Sequence, residues 1–353
     1  MQFQRTNFRI SIVIKASVRN FVPMLRTGLL FLFGLMSGHM ATAQNTDTTT
    51  IDRFAFGSCA FHFGKQKIWK SVIKNDPQLW VWLGDNIYSE TLDVPERAED
   101  YQDLGNNKNY KKLQAQCPVI ATWDDHDYGY NDCGTEFPMK EESKRLFLEF
   151  FNVPRTDARW KQNGIYTSYT YGTGTRKVRF IMLDLRYNRE KPGPDTDMMG
   201  EEQWKWLEQE LRTNSAALTV IASSVQFVST ISGFENWDKF PKSQKRMLDL
   251  IRDTGTKGAV FISGDVHYGQ LSMRRYDQVP YPIYDLTSSG LTHGNMIVGF
   301  KHPYRVDESR FGYRNFGMVR IDWEKRILSF DVRNIRNKVK YTWDIPFSTI
   351  GQQ

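Results

Sequence analysis

The chain has 353 residues, of which 40% are apolar and 14% aromatic, enough to bury the core of one large domain. Its formal net charge is +7, but residues 1–43 hold five bases and no acid. The remaining chain therefore has 42 bases against 40 acids and a net charge of only +2. This near balance argues against a protein whose main partner is nucleic acid or an anionic membrane surface.

The N-terminal segment has the pattern of a secretory signal peptide. Arg26 precedes an apolar run at residues 28–38, and Ala41, Thr42 and Ala43 follow it. The run is shorter than the roughly 20 residues that span a bilayer. We predict cleavage after Ala43 and a secreted or periplasmic chain, residues 44–353, that forms a single domain without a stable membrane anchor. An uncleaved anchor and a start at Met24 are the alternatives.

Beyond the leader, strand and helix patterns alternate along the chain. Six short apolar runs have the composition of buried strands: residues 53–59, 79–85, 118–125, 178–186, 218–227 and 258–267. Between them, apolar residues with helical spacing begin near Ile68, Leu146 and Trp204. This alternation predicts an α/β domain with a parallel or mixed sheet. Residues 316–347 alternate apolar and polar instead, which predicts an antiparallel meander in a second sheet.

Each predicted strand end carries reactive or polar side chains: Cys59; Asp85 and Tyr88; Asp124, Asp125 and His126; Asp184 and Arg186; Gln226; Asp265 and His267. In open α/β sheets, functional groups gather beyond the carboxyl ends of the strands. Taken singly, each residue has a structural alternative as a turn, cap or small core residue. Together, the carboxylates would crowd one crevice, at a high cost unless cations lie among them. The sequence therefore predicts a metal site.

The residue types indicate which metals fit. Thiolate, phenolate, carboxylate and imidazole groups suit a Lewis-acidic transition ion, and a ferric ion fits the first two best; they come from Cys59, Tyr88, Asp85 and His267. The remaining donors are oxygens, which favour hard ions such as calcium, magnesium or manganese; they come from Asp85, Asp125, Asp265 and Asn131. Only five histidines follow residue 43, so a histidine-rich dizinc site is hard to assemble.

Such a pair of cations suggests phosphoryl transfer to water. Two metals roughly 3.5–4 Å apart polarise a phosphoryl oxygen and generate a hydroxide nucleophile. The transition state also needs a cation for its equatorial oxygens, and the leaving group needs an acid. Arg186 and His126 are the candidates. The alternatives are an ion pair for Arg186 and, for His126, a hydrogen bond that orients a ligating aspartate.

The order of these motifs resembles one known family. The elements "GSC" (57–59), "GDNIY" (84–88), "WDDHD" (123–127), "LDLR" (183–186) and "GDVH" (264–267) resemble those of PhoD-like phosphatases (alkaline phosphatase D), a branch of the calcineurin-like metallophosphoesterase superfamily. The resemblance extends from about Phe54 to "DLTSSGLTH" at 285–293. It implies a two-sheet α/β sandwich flanked by helices and hydrolysis of phosphomonoesters and phosphodiesters.

The resemblance also implies a cofactor set and its ligands. It points to Fe3+ and Ca2+, with Mn2+, Mg2+ or Zn2+ as substitutes. The metal ligands carried over by position are Cys59, Asp85, Tyr88, Asp125, Asp265 and His267. Asp125 and His126 carry over as a pair, with Asp85 bridging the two ions; together with Arg186, proposed above from its place after a strand, Asp125 and His126 are the predicted catalytic residues. Gln226 departs from the superfamily pattern, because related members have a metal-binding histidine there.

Several alternatives stay open at this point. The expected substrate is a small phosphate ester, but a phospholipase-D-like phosphodiesterase and a non-catalytic module that binds a phosphorylated ligand or calcium are rival functions. A disulfide between Cys117 and Cys133 would staple the loop around "WDDHD". His62 and His293 are candidates for lining the pocket, and Trp237 for a substrate wall.

Overall fold

The computed structural model describes residues 45–231, 233–296 and 302–352. The predicted signal peptide, residues 1–43, lies outside the described residues. Among the described helices, none combines the length and the apolar character that a membrane span requires.

Thirteen strands and seven α-helices make up the described part of the chain. The strands are β1 (Asn45–Asp47), β2 (Arg53–Gly57), β3 (Trp80–Leu83), β4 (Val119–Thr122), β5 (Thr167–Tyr171), β6 (Val178–Met182), β7 (Leu218–Ser223), β8 (Ala259–Ser263), β9 (Gly269–Arg274), β10 (Ile283–Ser288), β11 (Asn315–Asp322), β12 (Ile327–Asn334) and β13 (Val339–Pro346). The helices are α1 (Trp69–Ile73), α2 (Val94–Asn106), α3 (Lys108–Gln116), α4 (Asp125–Tyr128), α5 (Lys140–Phe150), α6 (Gly200–Arg212) and α7 (Pro241–Asp253).

The strands form two sheets. One has the order β1-β5-β6-β7-β8-β10-β9, and the other has the order β13-β12-β11-β2-β3-β4. The predicted α/β class with two sheets is confirmed. The six predicted strands correspond to β2, β3, β4, β6, β7 and β8, and they divide evenly between the sheets. The C-terminal meander is also confirmed, because β11, β12 and β13 pair antiparallel and β11 joins β2.

Alternation along β2 and β3 divides the core into two clusters. Phe54, Phe56 and Val81 pack in a large cluster with residues of both sheets and of α6 and α7. Trp80 and Trp82 belong to a second cluster with residues of α1, α2, α3 and α5. Because successive side chains of a strand point to opposite faces, these two apolar strands are covered on both sides. This burial holds their carboxyl ends in place.

Strand β10 was not predicted, and its sequence explains why. Asp285 lies in its middle and is fully buried. The carboxylate accepts hydrogen bonds from the Ser263 hydroxyl (2.6 Å) and from the backbone amides of Phe227 (2.8 Å) and Val228 (3.1 Å). A carboxylate inside a strand interrupts the apolar pattern that predicts a buried strand. Its burial is stabilised by these hydrogen bonds from residues that are distant in sequence.

Candidate metal centre

The carboxyl ends of strands from both sheets meet at one crevice, and glycines allow the close approach. A Cβ on Gly264, after β8, would collide with the hydroxyl of Ser58, after β2. A Cβ on Gly84, after β3, would collide with Asp124, after β4; Gly84 also has a φ of +95°. The glycines of the "GD" motifs are therefore required by packing, since no larger residue fits at these crossings.

The first cluster of candidate ligands contains Cys59, Asp85 and His267, whose donor atoms all lie within 4.8 Å of one another. The Cys59 Sγ lies 3.3 Å from Asp85 Oδ2. The Tyr88 hydroxyl lies 3.2 Å from the same oxygen and 3.3 Å from His267 Nε2. His293 joins the cluster, with its Nε2 3.2 Å from both the Tyr88 hydroxyl and His267 Nε2. Five potential donors thus converge on one buried point.

A second cluster shares Asp85 with the first. Oxygens of Asp85 and Asp125 and one ring nitrogen of His126 lie within 4.8 Å of one another. Asp125 Oδ2 accepts a hydrogen bond of 2.7 Å from the backbone amide of Asp132, and Oδ1 accepts one from the amide of His126. Asp85 therefore belongs to both clusters.

A third group continues the line of carboxylates. Oxygens of Asp125, Asp132 and Glu235 also lie within 4.8 Å of one another. Glu235, however, is paired with two guanidinium groups, those of Arg186 and Arg189. Its charge is therefore already neutralised, so this group fits a cation less well than the other two clusters.

The backbone at the crevice is strained where candidate ligands lie. Cys59, Asp85, Asp265 and His267 all have φ between +48° and +65°, in the left-handed region that non-glycine residues rarely adopt. Each such residue costs on the order of 1–3 kcal/mol and persists only where the surrounding structure imposes it. Strain at four candidate ligands together indicates that the fold has been arranged around their positions for a function.

Electrostatics show that the first cluster lacks positive charge; in the second, burial disfavours the Asp125 charge, but Arg186 and His126 outweigh burial and lower the pKa of that carboxyl. Burial and then Asp125 and Asp124 raise the pKa of the Asp85 carboxyl well above its usual range. Burial and Asp85 raise the pKa of the Cys59 thiol and the Tyr88 phenol. Burial lowers the pKa of His267 to about 4. A bound cation reverses this balance, because it stabilises carboxylate, thiolate and phenolate and prefers neutral imidazole.

The fit to a cation also rests on a buried atom. Asp85 Oδ1 is buried and has no hydrogen-bond partner among the described residues. Such an orphaned oxygen is costly, and it lies between the thiol–phenol cluster and the carboxylate cluster. The residues present therefore fit metal ions. The first cluster offers thiol, phenol and imidazole donors, and the second offers mainly carboxylate oxygens.

Arg186 is fully buried in an ion-pair network. Its guanidinium contacts Asp124 Oδ1 at 2.5 Å and also pairs with Glu235, and Nη2 lies 3.7 Å from Asp125 Oδ1. Nη1 is buried without a partner in the described part of the chain. The ion-pair alternative considered in the sequence analysis therefore accounts for most contacts of this guanidinium. Nη1 is the nitrogen that remains available to donate a hydrogen bond.

His126 lies at the mouth of the crevice. Its Nδ1 is 2.8 Å from Glu90 Oε1, and its ring lies 4.2 Å from the Tyr88 ring, centroid to centroid. It is the second residue of α4, whose N-cap is Asp124, and Asp127 Oδ1 accepts from the Asp124 amide in a capping box. This cap fixes the "DDHD" turn, so it also fixes where Asp125 and His126 point.

The structure thus brings together Cys59, Asp85, Tyr88 and His267, and then Asp85, Asp125 and His126. Asp265 lies beside these groups: its backbone oxygen is 3.6 Å from Cys59 Sγ, and burial and then Asp124 raise the pKa of its carboxyl. Asn131 is exposed.

Sequence reasoning left four residues of these clusters outside its ligand set, and it considered one of them, His126, as the acid instead. His293 was considered only for the pocket wall, whereas it contacts the first cluster directly. Asp132 lies within the "WDDHDYGYND" segment but was not named as a ligand. Glu235 sits in a polar loop, where no motif marks it.

Two further expectations are corrected. All three cysteines are free thiols in the described chain, and Cys117 and Cys133 form no disulfide. Cys133 instead accepts a hydrogen bond from the amide of Tyr130 within its own turn. Trp237 is fully buried and donates to Ser223, so it cannot line a substrate wall. Gln226 is also buried; its side chain bonds Thr287 and Tyr268.

A two-sheet α/β sandwich with carboxylates, a thiol and imidazoles at its strand ends defines the metallophosphoesterase class of fold. The family model for PhoD-like phosphatase matches residues 54–300. The chain belongs to the PhoD-like phosphatase family.

Individual relatives agree with this assignment. Alkaline phosphatase D of Bacillus subtilis (strain 168) is 24% identical over 268 residues, which cover 61% of this chain and 45% of that protein. The chain therefore spans less than half the length of that curated relative.

Solved structures share the fold at low sequence identity. A structure of PhoD is similar with a TM-score of 0.66 and 20% identity, covering 86% of this chain and 70% of that one. GAP50, the anchor in the inner membrane complex of Plasmodium, gives a TM-score of 0.57 at 15% identity, covering 84% of this chain and 89% of its own. A dimetal phosphatase from Danio rerio gives 0.50 at 13% identity, covering 84% and 99%.

Proposed function

We propose that this protein is a metal-dependent phosphoric ester hydrolase that acts on small phosphate esters. The observation that carries the proposal is the pair of donor clusters joined by Asp85, whose Oδ1 has no partner among the described residues. Membership of the PhoD-like phosphatase family supports it. A purely structural calcium site would not need a thiol, a phenol and an imidazole in contact with the shared carboxylate.

The two clusters differ in chemistry, so we propose different ions for them. Cys59, Asp85, Tyr88 and His267 would hold Fe3+, since thiolate and phenolate suit it best. His293 is an additional donor on that side. Asp85, Asp125 and Asp265 would hold Ca2+, which prefers oxygen ligands. Mn2+, Mg2+ or Zn2+ are substitutes.

These residues would hold a cation pair, which would supply polarisation of a phosphoryl oxygen and activation of water. The chain's own residues supply the rest. Glu90 Oε1 lies 2.8 Å from Nδ1 of His126, and this imidazole is the proposed donor of the proton that the leaving oxygen needs. Arg186 Nη1 is the donor for a phosphoryl oxygen, and the ion pairs with Asp124 and Glu235 hold the guanidinium in position.

We further propose that the mature protein is residues 44–353, a single domain that is exported. The support is the signal-peptide pattern of residues 1–43 and the compact unit formed by Thr42–Gln353. The small net charge of that part supports small-molecule esters over nucleic acid as substrates.

The direct test is hydrolysis by the full chain, expressed in an exporting host and supplied with iron and calcium. A chromogenic monoester, p-nitrophenyl phosphate, and a chromogenic diester, bis(p-nitrophenyl) phosphate, are assayed side by side. We expect turnover of at least one of these two substrates. The ratio of the monoester rate to the diester rate then decides between a phosphatase and a phosphodiesterase, including a phospholipase-D-like activity. Absence of turnover on both, with metals bound, would refute the hydrolase and favour the non-catalytic module.

The iron assignment has its own test in the absorption spectrum. Iron-loaded protein should absorb visible light through charge transfer from the Tyr88 phenolate. We expect Tyr88→Phe to lose this band, whereas the matched Tyr313→Phe variant keeps it, because Tyr313 is an exposed residue. A colourless preparation with full activity on other metals would contradict the assignment of iron.

A further inference from the structure

A cleft of about 500 Å3 opens directly beside the first donor cluster. It is lined on one side by the loop that carries Thr292 and His293 and by Phe311 to Arg314, and on the other by the turn between β12 and β13. We call it the His293 cleft. His293 is shared by the first donor cluster and the cleft: its Nε2 lies 3.2 Å from His267 Nε2, and the same residue lines the cleft.

The first wall is anchored to the metal centre. The amide of Asn295 donates to the backbone oxygen of His267 at 2.8 Å. Phe311 forms a two-way backbone bridge with Gly269, two residues after His267. Gly294 and Gly312 touch so closely that a Cβ on either would strike the opposite backbone. The wall therefore has a position fixed relative to the candidate ligands.

The second wall is also fixed. The Ser71 hydroxyl of α1 donates to the backbone oxygen of Ile335 at 2.6 Å, and the Asn75 amide contacts the Asn337 side chain at 2.7 Å. Asn334 Oδ1 accepts from the amides of Arg336 and Lys338 inside the turn. Arg336 and Lys340 are thus presented from a braced turn.

The lining combines two kinds of chemistry. Tyr313 and Met296 are exposed to 61% and 59%, and Phe311 lies beside them, which makes an apolar surface for a flat ring. The cations are Arg314, Arg336 and Lys340, none of which has a carboxylate partner within the described residues. No acidic residue lines the cleft in the described chain. The lining therefore favours a ligand with a ring and a negative charge.

We propose that the His293 cleft receives the leaving group of the ester, and that it selects leaving groups that carry both a flat ring and a second anionic group. This proposal rests on the proposed function and adds its substrate class. Aromatic side chains would stack on the ring, and Arg336 and Lys340 would bind the anion. The phosphoryl group stays at the donor clusters and passes to water, and the ring-bearing anion is released into the cleft.

A second cavity, of about 470 Å3, is the main rival location for an anion. It is lined by His62 and Phe63 and by four lysines: Lys65, Lys67, Lys70 and Lys108. None of the described residues that line it belongs to the donor clusters; His62 accepts from the backbone amide of Tyr88 and pairs with Asp100 at 2.9 Å. The rival cavity supplies a matched control, because Lys67 is an exposed cation of the same kind as Lys340.

The test compares three substrates of the full, metal-loaded chain. ADP has a leaving group with a ring and an anion, p-nitrophenyl phosphate has only the ring, and glycerol 2-phosphate has neither. We expect the double variant Arg336→Ala/Lys340→Ala to raise KM for ADP about tenfold, with KM for the other two substrates within about twofold. The Lys67→Ala control should leave KM for ADP unchanged.

The ring contact is tested separately. We expect Tyr313→Ala to raise KM about fivefold for ADP and for p-nitrophenyl phosphate, with no change for glycerol 2-phosphate, and Tyr313→Phe to restore it. Equal effects on all three substrates, or an effect of Lys67→Ala that matches the double variant, would overturn the cleft's role.

Failure of the proposed hydrolase is distinguishable from failure of the cleft. If the wild-type protein hydrolyses none of the three substrates, calorimetric titration with AMP tests the cleft as a binding site without any need for turnover. A Kd for AMP about tenfold weaker in the Arg336→Ala/Lys340→Ala variant supports the cleft as a binding site. The same Kd in both proteins refutes it.

Discussion

Asp85→Asn is expected to reduce phosphate-ester turnover by about a thousandfold or more, because Asp85 is shared by both donor clusters. An amide keeps the shape of the side chain but cannot bridge two cations as a carboxylate does. The measurement is kcat/KM on p-nitrophenyl phosphate with iron and calcium supplied, together with the metal content of the purified protein. Turnover within tenfold of the wild type would remove Asp85 from the centre of the mechanism.

The same variant should have an opposite effect on the metal-free protein. Burial and the neighbouring carboxylates disfavour the Asp85 charge, so removing it relieves repulsion. When a chelator has removed the metals, we therefore expect the Tm of Asp85→Asn to equal or exceed that of the wild type. With metals, the wild type should gain about 4 kcal/mol at a thousand times its Kd, and the variant should lose that gain.

The matched control is Asp238→Asn, an exposed aspartate outside the three ligand groups. It makes the same chemical change and should alter neither turnover nor the response of Tm to metal. A similar loss of activity in this control would mean that the assay reports general damage.

Arg186→Ala is expected to destabilise the protein by about 3–5 kcal/mol, because it leaves the buried carboxylate of Asp124 without its cation and Glu235 with Arg189 as its remaining ion-pair partner. Chemical denaturation followed by circular dichroism measures this loss as a lower midpoint at an unchanged slope. Arg176→Ala, which removes an exposed arginine, is the control and should be nearly neutral.

Arg186→Lys separates stability from catalysis. A lysine keeps a charge near Asp124 but lacks the planar fork, so part of the stability should return while the donor corresponding to Nη1 does not. We expect kcat to stay reduced by about a hundredfold on p-nitrophenyl phosphate with metal content unchanged. If Arg186→Lys restores both stability and turnover, the role of Arg186 is structural.

The sequence predicted the strands that are apolar on both faces. Runs such as "WVWL" and "VRFIM" can only be buried, so β3 and β6 were recognisable without knowledge of their neighbours. β10 escaped because Asp285 interrupts its apolar pattern, and its charge is tolerated only through donors from Ser263 and the 227–228 backbone. Local pattern cannot reveal such distant partners.

The division of the strands between sheets was likewise a tertiary outcome. β2, β3 and β4 pair with the C-terminal meander, whereas β6, β7 and β8 form the other sheet. All six look alike in sequence, since each is mostly apolar and followed by a polar group. Pairing depends on which edges meet once the chain folds, and residues more than 200 positions apart decide it, as in the register of Gly317 with Phe56.

The sequence by itself determined which chemistry is available: carboxylates, a thiol, a phenol and imidazoles that each follow a strand, in an order that resembles one family. It determined this because a strand end fixes the position of the residues just beyond it. Only the tertiary structure decided which of them touch. It brought His293 to the first cluster, tied Arg186 into a buried ion pair, separated Cys117 from Cys133 as free thiols and buried Trp237. These outcomes depend on how loops from two sheets pack across one crevice, where distance along the chain carries no information about distance in space.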